Sequence, residues 1–484
     1  MEILAHYIAG EWISGTSEEY KDDVNPSDFG QVLAKIPLGD ESTVQRAVEA
    51  ANNAFKGWKH TPGPGRAEFM HRVANLLAQH RQDVARVVAL EVGKPIGEAL
   101  AEVDRGIVIL RYYAEEAVHP MGNVIPSQVP GSLQFTVREP VGPLGVITPW
   151  NFPVAIPLWK ISPAIAFGNT VVWKPAETSS MVAVHLMKIF AEAGLPQGVI
   201  NLVLGSGSKI GKALVASDGI RAVTFTGSEG VGMGIAQQAA QRNIKYQLEM
   251  GGKNAAIVLP DADLRLAARL IASGAMRYAG QKCTATSRVV VVADVIDSFI
   301  DHLTEEVKAL PVAPAIDANS AVGPLISEDA LSKVSYYADE GAKSGEVVLG
   351  GKRAQGSLLD RGYFFEPTVI RNVSPDAKVA QEEIFGPVLV VHEAKDLDDA
   401  INIANNSRYG LSVSMFTRDI NAILSYIPNI EAGMVRVNAD TTGVDPHAPF
   451  GGMKSSSSHS REQGPAAVEF FTDTKTVQIN PVTG

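Results

Sequence analysis

The sequence predicts an α/β protein with more than one domain, and three observations support that class. From Gly145 onward, apolar strand-like stretches such as 145–148 and 222–225 alternate with helical stretches, as in a parallel sheet covered by helices. The 484 residues exceed what one hydrophobic core usually serves. Hydrophobic residues make up 45% of the chain, which is enough to build two or three cores.

The first third of the chain is predicted to be helical. Ser42 and Gln45 have the spacing of a capping box at the start of a helix. The apolar positions that follow at helical spacing are Val44, Ala47, Val48, Ala51, Phe55 and Trp58. A second helix is predicted from about Arg66 to Glu91.

The segment 122–140 interrupts this rhythm, because it is rich in Pro, Gly, Ser and Gln and contains a strand-like stretch at 134–137. A second strand-like stretch, 469–478, lies near the end of the chain. Neither has an obvious partner within one subunit. We therefore expect the two stretches to pair across a dimer, within a dimer of dimers.

Cys283 is the only cysteine of the chain. A lone cysteine is commonly an inert small hydrophobe, but this one lies among small and polar residues on the way into the apolar strand 288–293. Lys282 offers a charge that would lower the pKa of the thiol. Upstream, Glu249 precedes a Gly-Gly pair that would leave its carboxylate free. The pattern predicts a nucleophile and a general base.

Composition excludes several other kinds of function. The ten histidines are scattered without ligand spacing and no second cysteine is present, so neither a metal site nor a disulfide is expected. A net charge of -11 and a pI near 5.5 disfavour nucleic acid or an anionic membrane as partner. The sequence has no apolar run of membrane-spanning length and no signal peptide at Met1, and a single thiol suits a reducing compartment. We therefore expect a cytoplasmic protein.

Seven motifs, in order along almost the whole chain, resemble the NAD(P)-dependent aldehyde dehydrogenase superfamily. They are 149–153 (PWNFP), 173–177 (WKPAE), 225–228 (FTGS) with Gly232, 249–253 (EMGGK), 280–283 (GQKC), 382–387 (EEIFGP) and 449–452 (PFGG). The stretch 443–464 locally resembles bacterial α-ketoglutaric semialdehyde dehydrogenases. Its position also argues that the Ser-rich tract 455–460 is an ordered active-site connection and not a linker.

The resemblance implies an aldehyde dehydrogenase-like architecture of three parts. A Rossmann-type NAD-binding domain would comprise 1–121 and 141–252, and an α/β catalytic domain 253–452. The segments 122–140 and 466–484 would form a small β oligomerisation element, which implies a homodimer or homotetramer.

The usual dinucleotide fingerprint is missing, because 205–211 resembles G-x-G-x-x-G with one residue too many. A better candidate is 225–232, where a strand, a tight turn and a helix start could hold pyrophosphate. The resemblance places Gly207 near the adenine, Lys174 and Glu177 at the ribose, and the 382–387 motif at the nicotinamide. The full predicted cofactor set is Ile147, Trp150, Lys174, Glu177, Gly207, Gly227, Ser228, Val231, Met250, Glu383 and Phe385. A carboxylate at the ribose favours NAD over NADP, with NADP possible.

The resemblance also implies a mechanism. Cys283 would attack the aldehyde, the side-chain amide of Asn151 and the backbone N–H of Cys283 would stabilise the oxyanion, and Glu249 would activate water to hydrolyse the thioester. Lys160 and Glu462 match positions that move the proton outward, or they form only a structural salt bridge.

The aldehyde itself is less well defined. A funnel of Phe152, Trp159, Lys282, Thr284 and Phe450 is expected to choose the substrate. Arg436 and His447, together with Lys282, could receive a carboxylate at the far end of a small semialdehyde, or they point to solvent or pair with neighbouring acids. The alternatives are a general aldehyde dehydrogenase, a coenzyme-A-acylating enzyme, which the base Glu249 disfavours, and a non-catalytic structural relative.

Overall fold

The computed structural model describes residues 2–14, 19–119 and 121–482. Its strands are β1 Glu2–Ile3, β2 His6–Ile8, β3 Glu11–Ile13, β4 Tyr20–Val24, β5 Val32–Pro37, β6 Val124–Ile125, β7 Leu133–Pro140, β8 Pro143–Ile147, β9 Thr170–Lys174, β10 Ile200–Leu202, β11 Ala222–Thr226, β12 Lys245–Glu249, β13 Ala255–Val258, β14 Arg288–Val292, β15 Glu346–Leu349, β16 Thr368–Arg371, β17 Val388–Ala394, β18 Tyr409–Gly410, β19 Ser412–Phe416, β20 Met434–Val437, β21 Met453–Lys454 and β22 Thr472–Ile479. Its helices are α1 Glu41–Trp58, α2 Gly63–Gln79, α3 Arg81–Val92, α4 Ile96–Glu116, α5 Ala155–Ala166, α6 Ser180–Glu192, α7 Lys212–Ala216, α8 Glu229–Gln241, α9 Leu264–Met276, α10 Ile296–Lys308, α11 Glu328–Ser344, α12 Lys378–Gln381, α13 Leu397–Asn405, α14 Ile420–Asn429 and α15 Ala466–Phe471.

The start of the chain differs from the predicted helical third. Five short strands, β1 to β5, precede α1. The sequence did not predict them, because strands this short carry too few residues to show an alternating pattern. The capping box is real but lies two residues earlier than predicted. Asp40 accepts a hydrogen bond from the backbone N–H of Thr43 (2.9 Å), and the Asp40 N–H donates to Thr43 Oγ1 (3.2 Å), so Ser42 lies inside the helix. The predicted second helix is broken at His80 into α2 and α3.

The first large sheet has seven strands in the order β12-β11-β8-β9-β10-β2-β3. The strands from β12 to β10 are parallel, and β8, β9 and β11 are buried along their whole length, as expected for a sheet covered on both faces. The chain runs outward from β8 to β10 and later returns to the other side of β8 with β11. In open parallel sheets, ligands bind at the carboxyl ends of strands where the order reverses in this way. The point between β8 and β11 is therefore the expected ligand crevice.

The second large sheet has the order β15-β16-β17-β14-β13-β19-β20 and is parallel except at β15. The short link 250–254 joins the carboxyl end of β12 in the first sheet to the start of β13 in the second. This link brings the ligand crevice of the first sheet next to the amino ends of β13 and β14. The predicted α/β class with a Rossmann-type sheet is confirmed.

A separate three-stranded sheet has the order β22-β7-β6. β22 pairs antiparallel with β7 from Thr472 opposite Pro140 to Ile479 opposite Leu133. The prediction that these strands lack a partner in their own subunit is therefore wrong, and 469–471 is helical rather than extended. Their role in assembly stays a prediction, as do the domain boundaries. Residues 1, 15–18, 120, 483 and 484 of the predicted segments lie outside the described residues.

In the described part of the chain, no helix has the length and apolar character needed to cross a membrane.

Candidate active site

Cys283 lies in the loop between α9 and β14, and the backbone before it is unusual. Tyr278, Ala279 and Gly280 have left-handed φ values of 58°, 51° and 65°. A side chain on Gly280 is excluded because its Cβ would lie 2.4 Å from the carbonyl oxygen of Gly386. Two successive non-glycine residues in the left-handed region are strained, and such strain persists only where the surroundings hold it. The loop is therefore a fixed platform for the cysteine.

Two side-chain amides fix this platform. The Nδ2 atom of Asn254 donates to the carbonyl oxygens of Cys283 and Ala285, both at 2.8 Å. The side chain of Gln281 is fully buried, and its Oε1 accepts from the backbone N–H of Ile326 at 2.9 Å. Neither amide was predicted as a site residue. The available signal was their position, since one directly follows the EMGGK motif and the other lies within GQKC.

The thiol of Cys283 is half-buried and borders two cavities, one on each side of the loop. Burial, and then the neighbouring carboxyls of Glu383 and Glu249, raise the pKa of Cys283 to about 12. The predicted lowering of this pKa by Lys282 is wrong, because the Nζ of Lys282 pairs with Glu98 at 3.2 Å. The thiol is therefore protonated at neutral pH and must pass its proton to a base when it reacts.

Glu249 ends β12 with a buried carboxyl, not the free one that the sequence suggested. Its Oε2 accepts a hydrogen bond from Ser457 Oγ at 2.5 Å, and its buried Oε1 has no hydrogen-bond partner among the described residues. Burial, followed by the nearby carboxylate of Glu462, raises the pKa of Glu249 well above its usual range. A carboxyl whose pKa is moved upward is suited to take up and return a proton.

The Ser-rich tract is ordered, as predicted, and it supports Glu249. The backbone N–H of Met250 donates to the carbonyl oxygen of Ser456 at 2.7 Å, and the N–H of Ser458 donates to that of Leu248 at 2.9 Å. The tract 455–460 therefore runs along the end of β12 and places the Ser457 hydroxyl on the carboxyl group.

Lys160 and Glu462 form an ion pair that is fully buried. The Lys160 Nζ also donates to Thr224 Oγ1 at 2.9 Å, while Oε2 of Glu462 has no partner among the described residues. Their charges act on Glu249 in opposite directions, since Glu462 raises its pKa and Lys160 lowers it. The pair is thus electrostatically part of the site.

Asn151 follows β8 and is buried beside the cysteine loop. Its Nδ2 donates to the carbonyl oxygen of Gln281 at 3.1 Å, and Asn151 and Cys283 border the same cavity. An amide nitrogen carries two hydrogens, so one remains for a second acceptor in that cavity.

The first cavity, of about 300 Å3, lies at the switch point of the first sheet. Six predicted cofactor residues line it: Trp150, Gly227, Ser228, Met250, Glu383 and Phe385. Helix α8 begins here with no side chain capping its N-terminus, and the lining Thr226 Oγ1 is buried without a described partner. Gly232 allows close packing of this helix, since a Cβ there would lie 2.7 Å from the sulfur of Met250. Free amides, a positive helix end and an unpaired hydroxyl fit a dinucleotide.

The predicted ribose-binding pair lies at the end of β9. The Lys174 Nζ would be 3.5 Å from a Cβ on Gly207, so these two residues are neighbours as predicted. Burial lowers the pKa of Lys174 to about 8. Glu177 is paired with Lys21, with 3.4 Å between Oε1 and Nζ, a contact that the sequence did not suggest.

Five predicted cofactor residues lie outside the lining of the first cavity: Lys174, Glu177 and Gly207, described above, and also Ile147 and Val231. Ile147 ends β8 inside the hydrophobic core. Val231 is on α8 with 55% of its surface exposed.

The second cavity, of about 230 Å3, lies on the other side of Cys283. Five predicted substrate residues line it: Phe152, Trp159, Lys282, Thr284 and Phe450. The rings of Trp159 and Phe450 pack with centroids 5.5 Å apart. Sequence reasoning missed the contribution of the α4 region, which supplies Lys94, Glu98, Ala101, Glu102 and Arg105.

Arg436 and His447 do not line this cavity. Arg436 lies in β20, the edge strand of the second sheet, paired with Ser414. His447 packs near Tyr112 of α4, with ring centroids 6.5 Å apart. Proximity in sequence to Phe450 therefore did not place either side chain in the lining of the cavity.

A thiol shared by two cavities can bond to a small molecule in one while a cofactor in the other takes up hydride. That arrangement defines a cysteine-dependent oxidoreductase. The sequence pattern of the Aldehyde dehydrogenase family matches residues 12–477, and the chain belongs to that family. It is an aldehyde dehydrogenase that uses a nicotinamide cofactor. The family resemblance found in the sequence is confirmed.

Particular relatives narrow the comparison. The chain is 44% identical over 477 residues to the α-ketoglutaric semialdehyde dehydrogenase of Bacillus subtilis, covering 98% of each protein. It is 40% identical over 474 residues to the α-ketoglutarate semialdehyde dehydrogenase of Haloferax volcanii, again covering 98% of each. Betaine aldehyde dehydrogenase of Staphylococcus aureus, solved in complex with NAD+, has a TM-score of 0.96 at 34% identity and covers 99% of this chain and 95% of its own.

Proposed function

We propose that this enzyme oxidises a small semialdehyde with a terminal carboxylate, such as α-ketoglutaric semialdehyde, to the corresponding acid. The position of Cys283 between two cavities carries the proposal, because it places one thiol within reach of both a cofactor and a small substrate. The second cavity has a volume of about 230 Å3. Pockets for drug-sized ligands measure about 300 to 1,000 Å3, so this cavity favours a small metabolite. Relatives at 40% identity and above that act on this semialdehyde support the choice.

In the first half of the reaction, the sulfur of Cys283 bonds to the aldehyde carbon as the thiol proton passes to solvent water. The carbonyl oxygen becomes an oxyanion, which accepts hydrogen bonds from the free N–H of Asn151 and the backbone N–H of Cys283. NAD, when bound in the first cavity, supplies the hydride acceptor. Loss of hydride from the thiohemiacetal carbon leaves a thioester on Cys283.

In the second half, the carboxylate of Glu249 takes a proton from water, whose oxygen attacks the thioester carbon. The carbon–sulfur bond breaks, the acid is released and the thiol of Cys283 regains a proton. Lys160 and Glu462 carry the surplus proton away from Glu249, because both act electrostatically on Glu249 and Oε2 of Glu462 has no hydrogen-bond partner in the described part of the chain.

The proposed cofactor is NAD, with NADP use possible. Glu177 would accept hydrogen bonds from free ribose hydroxyls and repel a 2′-phosphate. Lys174 and Gly207 complete the adenosine end, while Glu383 and Phe385 hold the nicotinamide end.

Homodimer or homotetramer formation is proposed on different grounds from those in the sequence. Among the described residues, β20 lies at an edge of the second sheet and has no further strand beside it, and the same holds for β6 and β22 at the edges of the three-stranded sheet. Val124, Leu133 and Ile479 are 78%, 49% and 55% exposed on that small sheet. Open edges and exposed apolar side chains favour pairing with another copy. A monomeric mass by light scattering at micromolar concentration would contradict this proposal.

The remaining proposals concern location and organisation. We place the enzyme in the cytoplasm, where a catalytic thiol stays reduced. We also keep the proposed division into an NAD-binding domain (1–121 and 141–252), a catalytic domain (253–452) and an oligomerisation element (122–140 and 466–484).

One assay tests the proposed function against its alternatives. The purified enzyme is mixed with NAD and α-ketoglutaric semialdehyde, with and without coenzyme A, and NADH absorbance is followed. We expect NADH formation that does not need coenzyme A. Dependence on coenzyme A would indicate the acylating reaction, and absence of NADH with every aldehyde tested would indicate a non-catalytic relative.

A further inference from the structure

Among the charged side chains that line the second cavity, cations outnumber carboxylates. Three are cations, Lys94, Arg105 and Lys282, and two are carboxylates, Glu98 and Glu102. Both carboxylates are already paired with lysines, since Lys94 contacts Glu102 and Lys282 contacts Glu98. Arg105 is the lining cation left over.

Lys94 is further held by aromatic rings. Its Nζ lies 3.8 Å from the ring centroid of Phe152 and 4.6 Å from that of Tyr278. Its partner Glu102 also accepts hydrogen bonds from the backbone N–H groups of Val154 and Ala155, at 2.8 and 2.9 Å. The Lys94–Glu102 pair is therefore held by contacts within the protein. We do not expect it to be the group that binds a ligand.

Arg105 has the opposite character. Its Nη2 atom is buried and has no hydrogen-bond partner among the described residues. A buried donor without a partner costs roughly 1 to 3 kcal/mol, more when it is charged, so such groups usually serve a ligand or a water. Burial also lowers the pKa of Arg105, and the neighbouring charges offset this effect only in part.

The charged neighbours of Arg105 outside the lining oppose each other. The carboxylate of Asp445 favours the charged form of Arg105, and the guanidinium of Arg436 disfavours it. Arg436 thus contributes to the positive potential near the cavity, although it does not line it. The cavity keeps an excess of positive charge at the α4 wall.

We propose that Arg105 is the residue that selects anionic aldehydes, by donating from its guanidinium to the carboxylate at the far end of the substrate. Arg105 binds and orients the substrate and takes no part in bond making. Because guanidinium and carboxylate match in shape, two parallel hydrogen bonds can form and fix the aldehyde end toward Cys283. This inference rests on the proposed function and names the residue that carries its selectivity.

The test compares two aldehydes of equal chain length, glutaric semialdehyde, which carries a terminal carboxylate, and pentanal, which does not. The ratio of their kcat/KM values is measured in the wild type, Arg105→Met and Arg105→Lys. In Arg105→Met we expect the ratio to fall about 10- to 100-fold, the range for a lost charged hydrogen bond, chiefly through KM. Arg105→Lys keeps the positive charge but cannot form the two parallel hydrogen bonds. Its ratio should therefore lie between those of Arg105→Met and the wild type.

Arg111→Met is the matched control, because Arg111 lies on the same helix with its side chain exposed. It should leave the ratio at the wild-type value. Inhibition by α-ketoglutarate gives a second readout, and this anion should inhibit Arg105→Met more weakly than wild type. Thermal melting checks that each variant is folded.

The outcomes separate the two proposals. A wild-type ratio near one would overturn the anionic substrate class and the role of Arg105 with it. A high wild-type ratio that persists in Arg105→Met, or an equal loss with both aldehydes, would overturn the role of Arg105 and leave the substrate class standing.

Discussion

The two cavities that meet at Cys283 are built in different ways. About half of the residues that line the first cavity follow the ends of strands β8, β11 and β12, and most of the others belong to the 280–283 and 382–387 motifs or to the start of α11. The second takes much of its wall from helix α4 and its approach, far from Cys283 in the chain, and its charges are set by ion pairs between distant residues. Backbone turns in the motifs shape the cavity proposed to bind the cofactor. Side chains on one face of a helix shape the cavity proposed to bind the aldehyde, and these can be substituted to change the substrate.

The strongest test of this comparison is the residue that both cavities share. Cys283→Ala should lower aldehyde oxidation at least about 1,000-fold, because no other thiol can form the covalent intermediate. NAD binding, measured by protein fluorescence, should persist, since the walls of the first cavity remain. Substantial turnover by this variant would refute the nucleophile assignment.

Glu249→Gln should separate hydride transfer from hydrolysis. We expect a burst of about one NADH per active site followed by steady turnover roughly 100-fold or more below wild type, because an amide cannot take a proton from water. Rapid-mixing absorbance measures the burst. Glu340→Gln, a change on α11 at a partly exposed residue paired with Lys343, is the control and should behave as wild type. Steady turnover without a burst would show that Glu249 is not the hydrolytic base.

Glu177→Ser tests the proposed adenosine end of the cofactor site, which lies outside the lining of the first cavity. Removing the carboxylate should shift the ratio of kcat/KM for NAD over NADP toward NADP by about tenfold, the effect of roughly one charged contact. The aldehyde preference should stay unchanged. Lys21→Met is a second variant, which removes the cation paired with Glu177. It should raise the ratio of kcat/KM for NAD over NADP. Equal wild-type use of both cofactors would mean that Glu177 does not face the 2′ position.

The smallest expected effect is a change in pH dependence. Because the pKa of Glu249 is raised, the carboxylate that activates water becomes more abundant as pH rises, so the hydrolysis rate should increase at higher pH than an ordinary carboxylate would give. The hydrogen bond from Ser457 lowers that pKa, and its loss in Ser457→Ala should move the profile to higher pH. Ser455→Ala, in the same tract, serves as the control. If the pH–rate profile of Ser457→Ala is the same as that of the wild type, the pH dependence does not arise from Glu249.

These differences also explain what the sequence could predict. Trp150, Gly227, Glu383 and Cys283 belong to short motifs that can be recognised in the sequence without knowledge of their contacts, so their places in the site could be foreseen. Arg105 could not, because its importance depends on which neighbouring charges are already paired, and pairing is visible only in three dimensions.

Other errors have similar physical causes. The partner of β7 is β22, more than three hundred residues away, and no local pattern reveals such a pairing. The pKa of Cys283 was assigned the wrong direction because Lys282, adjacent in sequence, turns to Glu98 in space. Asp40 replaced Ser42 as the helix cap because both residue types suit that position.

The burial that keeps Cys283 protonated has a consequence for oxidative damage. Peroxides attack the thiolate, so a thiol with a pKa of about 12 reacts slowly while the enzyme is idle. If a sulfenic acid does form, the chain has no second cysteine to trap it as a disulfide. Repair then depends on a small thiol that can enter through one of the two cavities, and a bound cofactor or substrate would shield the sulfur from oxidant and rescuer alike.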